Sequence, residues 1–219
     1  MGTKVIVIDR YEGETEDILK KIAEAGEEPI KIKATSSLRD FKSELNTEIF
    51  KSITKMCLSN VIKPENIDKI LEMGFATAPA STKYHGNYKG GLLEHSKEVA
   101  TALLNLTVDL HLEWQRKESP IIVGLFHDLC KVDQYILQED GSYEFNKECP
   151  QGHGTKSVEY IEKYLECKLT DEEKACIEHH MGAFTDKEGQ TGYTEAIKKY
   201  PNVLFTHTAD MIASHIKNI

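Results

Sequence analysis

The segment IIVGLFHDLCK, residues 121–131, limits how this chain can fold more than any other. Its apolar run from Ile121 to Phe126 ends in His127 and Asp128 side by side, and Lys131 follows one helical turn after the histidine. A run of that kind belongs in a core, and it draws an imidazole and a carboxylate in with it. Burying both is expensive unless a charge partner compensates. A divalent cation is the simplest partner, because both side chains are standard metal ligands. The competing reading is a surface His-Asp pair with no partner, and the dipeptide alone leaves both open.

Composition narrows the setting. A chain of 219 residues, 40% hydrophobic and 29% charged, can bury a sizeable core as one ordinary domain plus a small extra unit. No apolar stretch approaches the ~20 residues that cross a bilayer. The opening MGTKVIVIDRYEGE has too short an apolar run and too much acid for a signal peptide. A cytoplasmic protein is therefore expected, with no membrane partner. The five cysteines (57, 130, 149, 167 and 176) form no CxxC pair, which favours reduced thiols over a disulfide framework or a zinc knuckle. Cys130, beside the His-Asp pair, reads as a core-facing thiol. A net charge of −9 opposes stable binding of duplex nucleic acid by the overall field, so a phosphate ester would need bound cations and a few lysines to supply positive charge.

The pattern along the chain separates a short α/β start from a mainly helical remainder. Residues 4–8 (KVIVI) predict a strand, Thr15–Ala25 a helix with Gly26 as its stop, and residues 29–33 (PIKIK) a second strand. No glycine-rich phosphate loop follows the first strand. This outlines an N-terminal α/β extension within residues 1–60 and a helical domain over 61–219. Helices are predicted for residues 38–58, 64–73 and 92–110, with an irregular loop at 79–91 (PASTKYHGNYKGG). Ser119-Pro120 opens the helix expected to carry His127 and Asp128. Residues 134–146 predict a β-hairpin turning at Asp140-Gly141. Further helices are predicted at about 154–166, 170–181 and 201–216.

Six candidate ligand positions fall in order along these segments: His95, His127, Asp128, His153, the His179–His180 pair and Asp210. His95 opens a helix after Gly90-Gly91, and His153 lies between two glycines at a helix start. His179–His180 is expected to end a helix. Asp210 sits in an otherwise largely apolar helix, where a carboxylate needs a partner. This order, with PASTKYHGNYKGGLLEHSKEVA, HDLCK and GHG, resembles the HD superfamily of metal-dependent phosphohydrolases, in particular its small bacterial and phage members. The GGLLEH segment is also similar to HD-type 3′-5′ exoribonucleases. The resemblance covers roughly residues 64–217.

The resemblance implies a mainly α fold, an HD-domain helical bundle with a small β-hairpin insertion. It implies one metal on His95, His127, Asp128 and Asp210, with Asp128 bridging to a second metal completed by His153 and His180, or by His179 in place of His180. Manganese, iron, magnesium, nickel and cobalt all suit such a donor set. Asp128 and Lys131 would carry the chemistry: two cations activate a water and neutralise phosphate oxygens. Lys131, three residues after Asp128 on the expected helical face, would hold a phosphate oxygen or stabilise the leaving group. Tyr84, His85, Tyr88 and His179 are candidate substrate contacts, the aromatic rings being suited to stacking on a base. His207 could point towards the site but reads as an ordinary helix histidine. The expected substrate is a nucleotide or short oligonucleotide, with diester cleavage favoured over monoester or triphosphate hydrolysis. After His180, MGAFTDKEGQTGYTEA lacks the signature of the HD-GYP cyclic-dinucleotide enzymes. Two other classes compete: an HD-type diiron oxygenase acting on a small molecule, and a non-catalytic module with structural metals.

Overall fold

The computed structural model describes residues 38–84, 86–139, 141–148, 153–182, 187–217 and 219. The strands expected at 4–8 and 29–33 and the helix expected at 15–25 lie outside the described residues. The compact unit that holds the site runs from Asn46 to Ile219.

Among the described residues the fold is mainly α, with eight α-helices and one two-stranded antiparallel hairpin. Helix α1 (Leu38–Leu58) contributes Phe50 and Leu58 to the core. Helix α2 (Pro64–Glu72) starts on a proline, whose missing N–H costs nothing in the first turn, and stops at Gly74 with φ +106°. Its buried Asn66 donates to the Leu165 carbonyl at 3.1 Å, and its Ile67 and Ile70 face the core. Phe50, Phe75 and Phe126 form an aromatic cluster with ring centroids 5.4–6.2 Å apart.

Helices α3 (Gly91–Asp109) and α4 (Ser119–Phe126) form the centre. The buried stripe of α3 is Leu92, His95, Ser96, Val99, Ala100 and Leu103, the i, i+3, i+4, i+7 spacing of one helical face. His95 therefore rides on the same face as the leucines. Helix α4 is buried at every position from Ile122 to Phe126, as its uninterrupted apolar run requires. Gly124 lets α4 meet α3 closely: a Cβ there would lie 2.8 Å from the Cβ of Ala100.

Helix α4 ends at Phe126, earlier than the sequence suggests, and a 3-10 turn (Leu129–Val132) follows. Strands β1 (Tyr135–Leu137) and β2 (Tyr143–Phe145) then form the expected hairpin, with Tyr135 opposite Phe145 and Leu137 opposite Tyr143. Helices α5 (His153–Tyr164) and α6 (Asp171–Glu178) come next. Helix α6 opens with a capping box in which Thr170 and Glu173 satisfy each other's backbone N–H. Helix α7 (Lys187–Lys199) was not legible in the sequence, because two glycines, three threonines or tyrosines and scattered charges blur its period. Helix α8 (Asn202–Met211) continues into a π-helical turn, Ile212–Ile216. The four described cysteines, 57, 130, 167 and 176, are free thiols. No described helix is long and apolar enough to cross a membrane.

Candidate metal centre

Five separate pieces of backbone bring the site together. His95 comes from the first turn of α3, just after Gly90, whose φ of +87° turns the chain into the helix. His127 caps the C-terminus of α4, and Asp128 (φ −107°, ψ 18°) is the first residue beyond it. His153 begins α5, His180 follows the end of α6, and Asp210 lies in the last turn of α8. His95, His127, Asp128 and His180 are at most 2% exposed, whereas the side chains of Lys131, Asp210 and His153 are 11%, 15% and 25% exposed. The first four form a floor, and the other three mark the open side.

The two oxygens of Asp128 face different partners. Oδ1 lies 2.6 Å from His153 Nε2 and 3.5 Å from His180 Nε2. Oδ2 lies 3.4 Å from His127 Nε2, 3.7 Å from His95 Nε2 and 2.7 Å from Lys131 Nζ. Asp210 Oδ1 reaches His95 Nε2 at 3.2 Å. Three overlapping trios have donor atoms within 4.8 Å of one another: His95–His127–Asp128, His127–His180–Asp210 and Asp128–His153–His180.

The histidines are held with Nε2 facing inward. His127 Nδ1–H donates to the Gly124 carbonyl at 3.0 Å and His180 Nδ1–H to the Ile177 carbonyl at 2.7 Å. His95 Nδ1 meets the Ile219 main-chain oxygen at 3.0 Å. A carbonyl only accepts, so each ring keeps its proton on Nδ1 and its lone pair on Nε2. Those lone pairs point at carboxylate oxygens, acceptor against acceptor. His127 Nε2 is fully buried with no hydrogen-bond partner, a costly arrangement unless something positive sits between. Donors around one cation at about 2.1 Å are at most about 4.2 Å apart, and the 3.2–3.7 Å separations fit that limit. The residues therefore fit divalent cations.

Charge follows the same pattern. Burial pushes the Asp128 carboxyl up, but Lys131, His127 and His153 outweigh it and hold it well below the usual carboxylate range. Burial likewise opposes ionisation of Asp210, and the close approach of His95 with the neighbouring histidines His127 and His180 reverses it to a strong depression. Burial lowers His127 and His153, which favours the neutral ring a metal ligand needs. It acts on His180 too, where Asp128 and Asp210 outweigh it and lift that ring. Lys131 loses charge stability to burial, yet Asp128 and Tyr135 carry it up to about 12.

The sequence placed Lys131 on one helical face with His127. The structure reaches the same contact differently. Helix α4 has ended, and the 3-10 turn eclipses residues i and i+3, which sets Lys131 over Asp128. His180 joins the cluster, while His179 packs with its Cε1 3.0 Å from where a Cβ on Gly192 of α7 would lie. Tyr84 is 79% exposed. Tyr88 donates its hydroxyl to Glu94, one residue before His95, at 2.9 Å. His85 lies outside the described residues. His207, three residues before Asp210, does not enter the trios; its Nδ1–H donates to the His180 carbonyl at 2.8 Å and its ring closes on Gly182. Its spacing to Asp210 was visible in the sequence, but its grip on the His180 turn was not.

Gly154 matters because α5 must approach α6 closely for His153 to meet His180. A Cβ there would lie 2.6 Å from both Cα and the carbonyl oxygen of Glu178. Gly154→Ala is expected to force the two helices apart and to destabilise the protein by about 1–3 kcal/mol. Denaturant unfolding checks this, and wild-type stability would show that the contact gives way freely.

Residues 92–213 match the family model described as HD domain. Over 70 residues, the chain is 37% identical to dihydroneopterin 2′,3′-cyclic phosphate phosphodiesterase of Methanocaldococcus jannaschii. That alignment covers 31% of this chain and 28% of the relative's length. No solved structure matches significantly.

Proposed function

The chain belongs to the HD-domain family, and from that premise we propose that it is a two-metal phosphohydrolase that cleaves a phosphodiester in a nucleotide or short oligonucleotide. The carrying observation is the division of Asp128, Oδ1 towards His153 and His180, Oδ2 towards His95 and His127. A carboxylate so divided can serve two cations at once. One position would take His95, His127, Asp128 and Asp210, and the other Asp128, His153 and His180. The name of the relative, a phosphodiesterase for a cyclic phosphate, favours diester cleavage.

When bound, two cations supply a water of lowered pKa and neutralise phosphate oxygens. The protein's own groups do the rest. The carbonyl-held histidines keep their Nε2 lone pairs aimed inward, so little reorganisation is needed on loading. The buried floor excludes water from beneath the site. Lys131, at the open side, exchanges its 2.7 Å contact with Asp128 for a phosphate oxygen of the substrate. A compact, strongly hydrated ammonium suits that role as a point charge. His153 and Asp210 flank the same opening. Tyr84, His85, Tyr88 and His179 remain the proposed substrate contacts, the tyrosines for stacking on a base.

A panel of phosphomonoesters, cyclic and linear phosphodiesters and nucleoside triphosphates, run with Mn²⁺, Mg²⁺, Co²⁺, Ni²⁺ and Fe²⁺, tests the reading. Turnover of a diester above the others is expected. Substrate-dependent oxygen uptake with iron would replace the reading with a diiron oxygenase. Absence of turnover despite two bound ions would leave a metal-binding module. Lys131→Ala is expected to lower kcat by about 10²–10³-fold, as loss of one charge-stabilising donor does, while metal content stays at the wild-type level. A variant that lost its metals instead would make Lys131 a structural counter-charge.

A further inference from the structure

Three of the four histidines in the cluster have Nδ1 against a main-chain oxygen, at 2.7–3.0 Å. The fourth does not. His153 Nδ1 lies 3.2 Å from the Sγ of Cys130, two residues beyond Asp128 in the 3-10 turn. Cys130 is fully buried. Its backbone N–H donates to Ser157 Oγ at 3.2 Å, which ties it to the helix that carries His153. Its Sγ–H also has Gln134 Oε1 in weak reach at 3.8 Å.

A main-chain oxygen can only accept a hydrogen bond, whereas a thiol can donate or accept. With Sγ–H turned to Gln134, the sulfur accepts the Nδ1–H of His153 and leaves Nε2 as a ligand. With Sγ–H turned to the ring, Nδ1 accepts, and the proton moves to Nε2, which faces Asp128 Oδ1 at 2.6 Å. The two arrangements hold the same number of protons. His153 is also the most exposed of the four rings, at 25%.

We propose that Cys130 is a positioning residue for the second metal position, making His153 the one histidine of the set that can serve either as a donor to Asp128 or as a metal ligand. Resting on the two-metal reading, it follows that this position loads after the other and gives up its ion more readily. Sequence placed Cys130 as a core thiol, and the structure keeps it in the core with a second task.

The test is Mn²⁺ titration of the full chain as wild type, Cys130→Ala and Cys130→Ser, with thermal melts to verify folding. Wild type is expected to bind two ions unequally. Cys130→Ala removes the partner of Nδ1 and is expected to weaken the second ion by roughly 10–100-fold with the first unchanged, the usual effect of losing a ligand's outer hydrogen bond. Cys130→Ser keeps a donor and acceptor and should recover part of that loss; if Cys130→Ala does not fold, the serine variant's second-ion affinity, expected between those limits, decides. Long-range ¹H–¹⁵N spectra of the metal-free protein should find the His153 proton on Nε2 and those of His95, His127 and His180 on Nδ1. If wild type binds two ions and Cys130→Ala binds both just as tightly, the positioning role falls alone. If wild type binds a single ion, the two-metal reading falls first. A sulfur-to-cobalt charge-transfer band on Co²⁺ loading would make Cys130 a ligand and overturn the proposal.

Discussion

Replacing Asp128 by alanine is expected to strip the protein of both ions and to lower hydrolysis by more than about 10³-fold, the upper end of what one charge-stabilising group supplies. Asp128 turns one oxygen to each set of histidines, Oδ1 to one and Oδ2 to the other, at 2.6–3.7 Å. Without it, the first position keeps His95, His127 and Asp210, and the second keeps only two neutral imidazoles. Four neighbouring rings would then share Asp210 as the one remaining carboxylate of the cluster. The fold should persist, because the substitution removes a carboxylate from a site whose backbone is held by α3, α4, α5 and α6. Metal analysis by mass spectrometry, circular dichroism and turnover together check the prediction. Full metal content in the alanine variant would refute the bridging role, and hydrolysis without metal would refute the two-metal reading altogether.

Glu173→Ala is expected to cause the largest loss of stability. Glu173 is fully buried at the start of α6, and four donors converge on it: Arg116 Nε at 2.6 Å, Arg116 Nη2 at 2.7 Å, Ser119 Oγ at 2.8 Å and the Thr170 backbone N–H at 2.9 Å. It therefore closes a capping box, neutralises a half-buried guanidinium and ties α6 to the first residue of α4. Removing one partner of a buried pair costs about 3–5 kcal/mol, since the other charge is left without its partner. For a domain of this size that is a fall in Tm of roughly 6–20 °C. The metal cluster lies beyond the opposite end of α6, so ion affinity measured well below Tm should stay at the wild-type level. A fall of less than about 3 °C would place the pair with surface ion pairs, whose contribution is small. That Asp171, Glu172 and Glu173 suit a helix N-terminus is legible in the sequence. The interior role of Glu173 is not, because the partner, Arg116, lies 57 residues away.

The same division runs through the whole molecule. The helices at 38–58, 64–72 and 91–109 were legible because each repeats its apolar residues at helical spacing. The hairpin was legible from alternating residues around Asp140-Gly141, but its register was not: a two-residue turn there would set Tyr135 opposite Asn146, and the structure sets it opposite Phe145. Helix α7 sets Tyr193, Ala196 and Ile197 against the core at helical spacing, but that stripe is short and follows Gly189 and Gly192, so the sequence alone does not mark the segment as a helix. The end of α4 at Phe126 was hidden too: an apolar run followed by His127 and Asp128 does not reveal that the backbone tightens into a 3-10 turn.

Sequence by itself determined which residues could be donors and in what order they come, because imidazole and carboxylate are chemically marked wherever they stand. It offered burial of His127 and Asp128 as one of two readings, since the run before them has no polar face to turn outward, and the structure buries both. Only the tertiary structure decided how these side chains are arranged. The split of Asp128 between two sets of histidines, the placing of His180 rather than His179 beside it and the thiol behind His153 are contacts across five chain segments. So are the carbonyl oxygens that orient the other rings. Main-chain oxygens are the same at every residue, and a one-residue shift at a helix end moves a side chain by about 100°. Which of them meets a given ring is set by how the helices pack.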